Sequence, residues 1–227
     1  ESRHLVIKNI VKKHKIKFWI LEKLISNKIK NLLLIKKLLH GQKVFVNLPR
    51  CYDKKFIYLK KQKLNKIKIV TSGGSWNIAS NALHHLYLLS WLTNDDVSKI
   101  YIYPKIFYET KRSGFQDFYG KIIAFTKINN SEVCLINNQN NKKFTSTVYA
   151  GKVKWFIDEN RGILKKNNRI IINKSFNFQS KITSKIILDI YYKKYFLKNT
   201  IPTLDDIFET HAQILKCFSK IKLLNVT

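Results

Sequence analysis

Apolar and polar positions divide the chain into short segments with two different periods. Residues 1–17 place Leu5, Ile7, Ile10, Val11 and Ile16 among lysines and histidines, which predicts a basic helix with an incomplete apolar stripe. From Phe18, Leu21, Leu24 and Ile25 share one helical face, and Asn27 to Asn31 interrupts it. Leu34, Ile35, Leu38 and Leu39 form the next helical face, with Lys36 and Lys37 left outside and Gly41 suited to the C-cap. Val44, Val46 and Leu48 then alternate with Phe45 and Asn47, the signature of a half-buried strand, which Pro49 closes. Phe56 and Tyr58 predict a second short strand that leaves through Lys60-Lys61-Gln62-Lys63.

The remainder reads as one buried helix among strands. Residues 66–71 alternate as a strand, Ser72-Gly73-Gly74-Ser75 turns, and Ser75 is placed to cap an apolar helix from Trp76 to Leu92. Further strands are expected at Ile100–Tyr103, Ile106–Tyr108, Lys121–Ile128, Glu132–Ile136, Lys143–Tyr149, Val153–Ile157, Arg169–Asn173 and Ile186–Ile190. Thr203 is placed to cap a final helix carrying Leu204, Ile207, Phe208, Ile214, Leu215 and Phe218. No internal repeat is visible.

Charge changes this picture. The chain has 227 residues, with 43 Lys+Arg against 14 Asp+Glu and a formal net charge of +29. Such an excess repels itself in a compact chain, and a polyanion relieves it; nucleic acid is the first expectation because phosphate contacts release counterions. No run of eighteen uncharged apolar residues exists, so no membrane partner is expected. Lysine, isoleucine and asparagine dominate while arginine, glycine and proline are scarce, which implies an AT-biased coding sequence such as an organellar genome or a parasite or protist nucleus. Cys51, Cys134 and Cys217 are far apart and offer neither metal spacing nor a disulfide framework.

Candidate chemistry is sparse. His84 and His85 are adjacent in a helix and face different ways, unlike the i, i+4 pair that grips zinc; core histidines are the expectation. Ser72-Gly73-Gly74-Ser75 precedes a helix as a phosphate loop does, but it lacks the P-loop spacing and lysine and reads as a tight turn. Asp95-Asp96 and Asp205-Asp206 sit at helix ends without a partner cluster. A nucleophile elbow, a dinucleotide fingerprint and a kinase signature are all missing, so the expectation is no enzyme, no metal and no cofactor.

The stretch Lys36-Lys37-Leu38-Leu39-His40-Gly41-Gln42-Lys43-Val44-Phe45-Val46-Asn47, preceded by a helix from Trp19, resembles the RNA-binding module of the small-subunit ribosomal protein S-four family. Pro49, Arg50 and Tyr52 stand for the family's hairpin segment. Trp155-Phe156-Ile157-Asp158 and Ile186-Ile187-Leu188-Asp189-Ile190-Tyr191-Tyr192-Lys193 are similar to the part that follows the module in that family. Gly41 is offset by one position from the family's glycine, and Leu32 to Ile35 stand where the family has arginine and alanine.

The resemblance implies an α+β fold: an S-four-type module of two short helices and a strand hairpin, with a long α/β insertion and a C-terminal helix. The expected segments are 1–17, a basic N-terminal helix; 18–65, the module; 66–150, the insertion; 151–195, a β segment rejoining the module; and 196–227, a helical extension. It further implies a structural constituent of the mitochondrial small ribosomal subunit. The RNA-binding residues would be Lys30, Lys36, Lys37, His40, Gln42, Lys43, Arg50, Tyr52, Lys54 and Lys55. The partners would be small-subunit rRNA, neighbouring ribosomal proteins and mRNA at the entrance. An RNA-modifying enzyme with the same module, or another ribosomal or lineage-specific RNA scaffold, are the alternatives.

Overall fold

The computed structural model describes residues 3–74, 76–173, 179–192, 201–223 and 225–226. After an N-terminal helix α1 (Arg3–Lys13), the chain forms strand β1 (Trp19–Glu22), helix α2 (Ile29–Leu38) and strand β2 (Val44–Asn47). β1 and β2 pair in parallel, Trp19 opposite Val44 and Glu22 opposite Asn47, with α2 as the crossover. Leu32 and Ile35 turn inward from α2, while Leu21, Val44 and Val46 are buried from the strands.

The S-four-type module is therefore not formed over 18–65. Its first helix is a strand, and its hairpin is absent. A short apolar run such as Trp19–Leu21 satisfies both periods, and here pairing with β2 decides the outcome. Beyond β2, Pro49–Tyr52 is a 3-10 turn, and Asp53 caps helix α3 (Lys54–Lys61) by accepting the Lys55 N–H at 2.8 Å. The strand expected at Phe56 and Tyr58 is instead part of that helix, whose buried face carries Phe56 and Leu59.

An eight-stranded mixed sheet follows. It contains β3 (Lys68–Gly73), β4 (Val97–Glu109), β5 (Gln116–Thr126), β6 (Glu132–Asn137), β7 (Thr145–Ala150), β8 (Val153–Asp158), β9 (Ile163–Lys166) and β10 (Arg169–Asn173). Their order is β10-β9-β8-β7-β3-β6-β5-β4. β3 runs parallel to β6, and every other neighbouring pair is antiparallel. In place of a module with a long α/β insertion, the chain builds a sheet with residues 68–73 at its centre. The two short strands expected at 100–108 are one strand, bent by a register shift between Pro104 and Ile106, where proline cannot donate to the ladder.

Helix α4 (Ile78–Thr93) lies on one face of this sheet, nearly all of it buried. Ser75, expected to cap it, lies outside the described residues; Asn77 stands at the cap. Helix α5 (Gln179–Tyr191) occupies the segment expected as a strand at 186–190. Ile186 and Ile190, both buried, are one helical turn apart, and Lys193 lies outside the described residues.

Helix α6 (Leu204–Lys220) packs on α2, α4 and β4. Pro202 and Thr203 pair with the free edge of β2 before α6 begins, through Val46 N–H to the Pro202 carbonyl at 2.9 Å. Thr203 and Asp206 form the reciprocal capping box, at 3.2 and 2.7 Å. Thr203→Ala removes one of these bonds and is expected to lower stability by about 1 kcal/mol in urea unfolding. No helix among the described residues is long and apolar enough to cross a membrane.

Candidate functional site

In open α/β units ligands bind beyond the carboxyl ends of the parallel strands, where loops diverge and helix ends converge. At that end of β1 stand Glu22 and, directly after it, Lys23; at the same end of β2 stand Asn47 and, three residues on, Arg50. Asn47 is buried, and its amide donates to the Glu22 carboxylate and, at 3.2 Å, to the Thr183 hydroxyl of α5. The strand ends are thereby tied to one another and to a helix more than one hundred residues later.

Lys23 reaches from β1 to the first turns of α4. Its ammonium donates to the Ser80 carbonyl and to Asn81 Oδ1, both at 3.0 Å. Asn81 is itself oriented by donating to the Trp76 carbonyl at 2.7 Å and the Asn77 carbonyl at 3.1 Å. An ammonium has three N–H donors, so one remains for a ligand. Burial pushes the Lys23 pKa down from 10.5 to about 8; Arg50 acts in the same direction, while Glu22 and Asp117 oppose it.

Asp117 of β5 underlies this arrangement. Its carboxylate accepts the Ala79 N–H at 3.1 Å and the Ser80 N–H at 3.4 Å, closing the N-terminus of α4 from outside the helix. Burial pushes its pKa up to about 6 against these bonds.

His84 and His85 are both buried on α4. Burial holds each well below the usual imidazole range; Lys23 and Arg50 lower His84 further, and Arg50, His84 and Lys23 lower His85. Both are neutral, and His84 Nδ1 has no hydrogen-bond partner among the described residues. Lys23 is thus held with a lowered pKa at the start of the helix that carries two buried histidines.

Arg50 closes the opposite side. It grips Glu159, after β8, through two bonds of 2.8 and 2.7 Å, and lies over Phe144 and Phe56. Tyr52 donates to Asp189 of α5 at 2.7 Å. The Ser72–Gly74 turn does not cradle a phosphate: a Cβ on Gly73 would lie 2.7 Å from Phe144, and one on Gly74 would collide with the Asn141 carbonyl. These glycines serve close packing.

The ten residues expected to bind RNA fall into separate places. Lys36, His40, Gln42 and Lys43 line a 350 Å³ pocket between α2, the start of β2 and the start of α6. There Lys36 is 3.2 Å from Asp205 and 4.2 Å from the Phe208 ring centre. Lys30 and Lys37 are exposed on α2, and Lys54 is exposed on α3. Lys55 is buried beside Asp53 at 2.7 Å. Arg50 is bonded to Glu159 and Tyr52 to Asp189.

Lys23, Asn47, Asn81 and Glu159 escaped sequence reasoning. The one available signal was Glu22-Lys23 at the end of a strand, and it was hidden while that strand was read as helix.

Known proteins bear on the same geometry. No family model matches the sequence, and no curated protein matches it. Solved structures do share the fold. A super-repressor mutant of Gal80p from Saccharomyces cerevisiae superposes with a TM-score of 0.72 at 13% identity, over 100% of this chain and 76% of that one. A protein classed as an NADPH-dependent oxidoreductase from Desulfitobacterium hafniense gives 0.69 at 13%, over 97% and 75%. One classed as a myo-inositol dehydrogenase from Sinorhizobium meliloti gives 0.64 at 12%, over 98% and 75%.

The S-four resemblance and the ribosomal, rRNA-binding role built on it are overturned by this fold, as is the alternative of an RNA-modifying enzyme carrying that module. What the chain shares with these solved structures is the fold alone, a βαβ unit set against a large mixed sheet.

Proposed function

We propose that the protein acts on a small hydroxyl- or carbonyl-bearing molecule, with Lys23 as the group that moves the proton in an oxidoreduction. The observation that carries this reading is Lys23 itself. It sits at the carboxyl end of a parallel strand with two N–H bonds committed and one free, and its pKa lies near 8. A proton-transfer group works best when its pKa lies near the operating pH. The ammonium can donate a proton to a carbonyl oxygen while an external reductant delivers a hydride to the carbonyl carbon, and the amine can accept that proton when an external oxidant takes the hydride back. Asn47 and Glu22 tie the two strand ends together next to Lys23. Two of the neighbours above are classed as oxidoreductases, which agrees with this chemistry.

The name of one neighbour implies a nicotinamide dinucleotide, whose pyrophosphate needs a glycine-rich strand-to-helix turn. The turn from β1 to α2, Lys23 to Lys28, contains no glycine and buries Leu24, Ile25 and Ser26. The turn from β3 to α4 is filled by Phe144 and Asn141. Neither of these two turns is a pyrophosphate cradle. This misfit favours a second reading, a Gal80-like protein that binds a ligand at Lys23 without turning it over.

Thermal melting against a panel of polyols, sugars and their oxo forms tests the proposal, followed by turnover assays with NADPH or NADP supplied. A ligand that raises the melting temperature of the parent and not of Lys23→Met, and that is then oxidised or reduced, is the expected result. Binding without turnover selects the regulatory reading. Stabilisation that persists in Lys23→Met removes Lys23 from the site.

A further inference from the structure

A chain of buried polar groups runs from the 3-10 turn through the large sheet to α4. Arg50 holds Glu159 through two bonds; the Ser146 hydroxyl is 2.9 Å from Glu159, Thr71 is 2.9 Å from Ser146, and His85 Nδ1 is 3.4 Å from Thr71. Ser146 and Thr71 belong to adjacent strands, paired at that register. Glu159, Ser146, Thr71 and His85 are each at most 4% exposed, so water does not substitute for any of these bonds. His85 Nε2 has no hydrogen-bond partner among the described residues.

The proton of each hydroxyl can be assigned. Glu159 is a carboxylate paired with a guanidinium and only accepts, so Ser146 must donate to it. The single Ser146 proton is then spent, and Thr71 must donate to Ser146. The single Thr71 proton is spent in turn, and the remaining bond can form only if His85 Nδ1 carries the hydrogen.

We infer that this one-way chain makes Glu159 a positioning residue that fixes His85 as the neutral Nδ1–H tautomer and leaves its buried Nε2 without a proton. His85 thus differs in role from Lys23: Lys23 moves a proton in the proposed reaction, whereas His85 holds its own proton on Nδ1 and donates it to Thr71. The inference rests on the hydrogen-bond geometry alone and stands whichever substrate Lys23 serves. Its energetic basis is the cost of a buried donor or acceptor left unmade, which makes any reversal of direction unfavourable while Glu159 remains ionised.

Long-range proton–nitrogen NMR on protein carrying labelled histidine tests it, since the two imidazole tautomers have distinct nitrogen signatures. At neutral pH the His85 spectrum should show a protonated Nδ1 and an unprotonated Nε2. Ser146→Ala removes the direction of the chain, and the pure signature should give way to a mixture containing the Nε2–H form. Thr71→Ser keeps a hydroxyl and should keep the pure signature; Thr71→Val removes it and is read against Thr71→Ser if Ser146→Ala does not fold. A parent His85 protonated at Nε2, or a folded Ser146→Ala or Thr71→Val protein with the parent's pure Nδ1–H signature, overturns the inference.

Discussion

Replacing Glu159 with alanine should lower the stability of the folded protein by about 3–5 kcal/mol, the usual cost of removing one partner of a buried ion pair. For a chain of this size that is a fall in melting temperature on the order of 10 °C. Two effects add. The Arg50 guanidinium, whose side chain is 18% exposed, is left without its carboxylate, and the Ser146 proton loses its acceptor. Both groups lie where the sheet meets the 3-10 turn, so water reaches them poorly. Replacing both partners with apolar residues, Arg50→Met with Glu159→Leu, should cost clearly less than the sum of the single changes, because neither charge is then stranded. Paired urea titrations of the single and double variants check this. Additive losses would mean that the bidentate contact carries no coupling energy.

Lys23→Met should lower kcat/KM by about 10²–10⁴-fold, the range typical of a lost general acid–base group. Lys23→Arg should retain ligand binding better than it retains turnover, because a guanidinium keeps the charge but does not release its proton in the working pH range. The pH profile has a definite sign. Carbonyl reduction needs the ammonium and should fall as pH rises through about 8, whereas hydroxyl oxidation needs the amine and should rise through the same value.

Stability follows the same linkage. The folded pKa lies below the unfolded one, so between about 8 and 10.5 the unfolded chain binds more protons and stability increases with pH. Below about 8 the cost of the buried ammonium is fully present. Lys23→Met should therefore lose function without losing stability at pH 7, the reverse of Glu159→Ala.

Much of the secondary structure was legible because local pattern and tertiary burial agree. Val44 to Asn47, residues 66–71, Trp76 to Leu92, Lys121 to Tyr149 and the Thr203 cap all fall on elements that form. The failures share a physical cause. Trp19–Glu22 is too short for its period to choose between helix and strand; its parallel partner β2 chooses. Phe56 and Tyr58 were read without Asp53, whose carboxylate starts α3. Ile186 and Ile190 fit a helix once their spacing of four is given more weight than their β-branched side chains.

The fold class was out of reach for a different reason. The pairing of β3 with β6 and β7 joins residues more than sixty apart, and nothing local encodes it. The site was hidden twice over: Lys23 was one lysine among many, and Asn81, Asn47 and Glu159 acquire meaning only when α4, β2 and the end of β8 converge. The two histidines are buried in α4, as core histidines are, and the His85 contact with Thr71 runs through space rather than along the helix.

The central claim is that folding turns Lys23 into a proton-transfer group, and its titration tests this most directly. In protein with labelled lysine side chains, assigned by comparison with Lys23→Met, the Lys23 resonance should titrate with a midpoint near 8, below the ordinary lysine value of 10.5. A Lys23 midpoint near 10.5 would contradict the account.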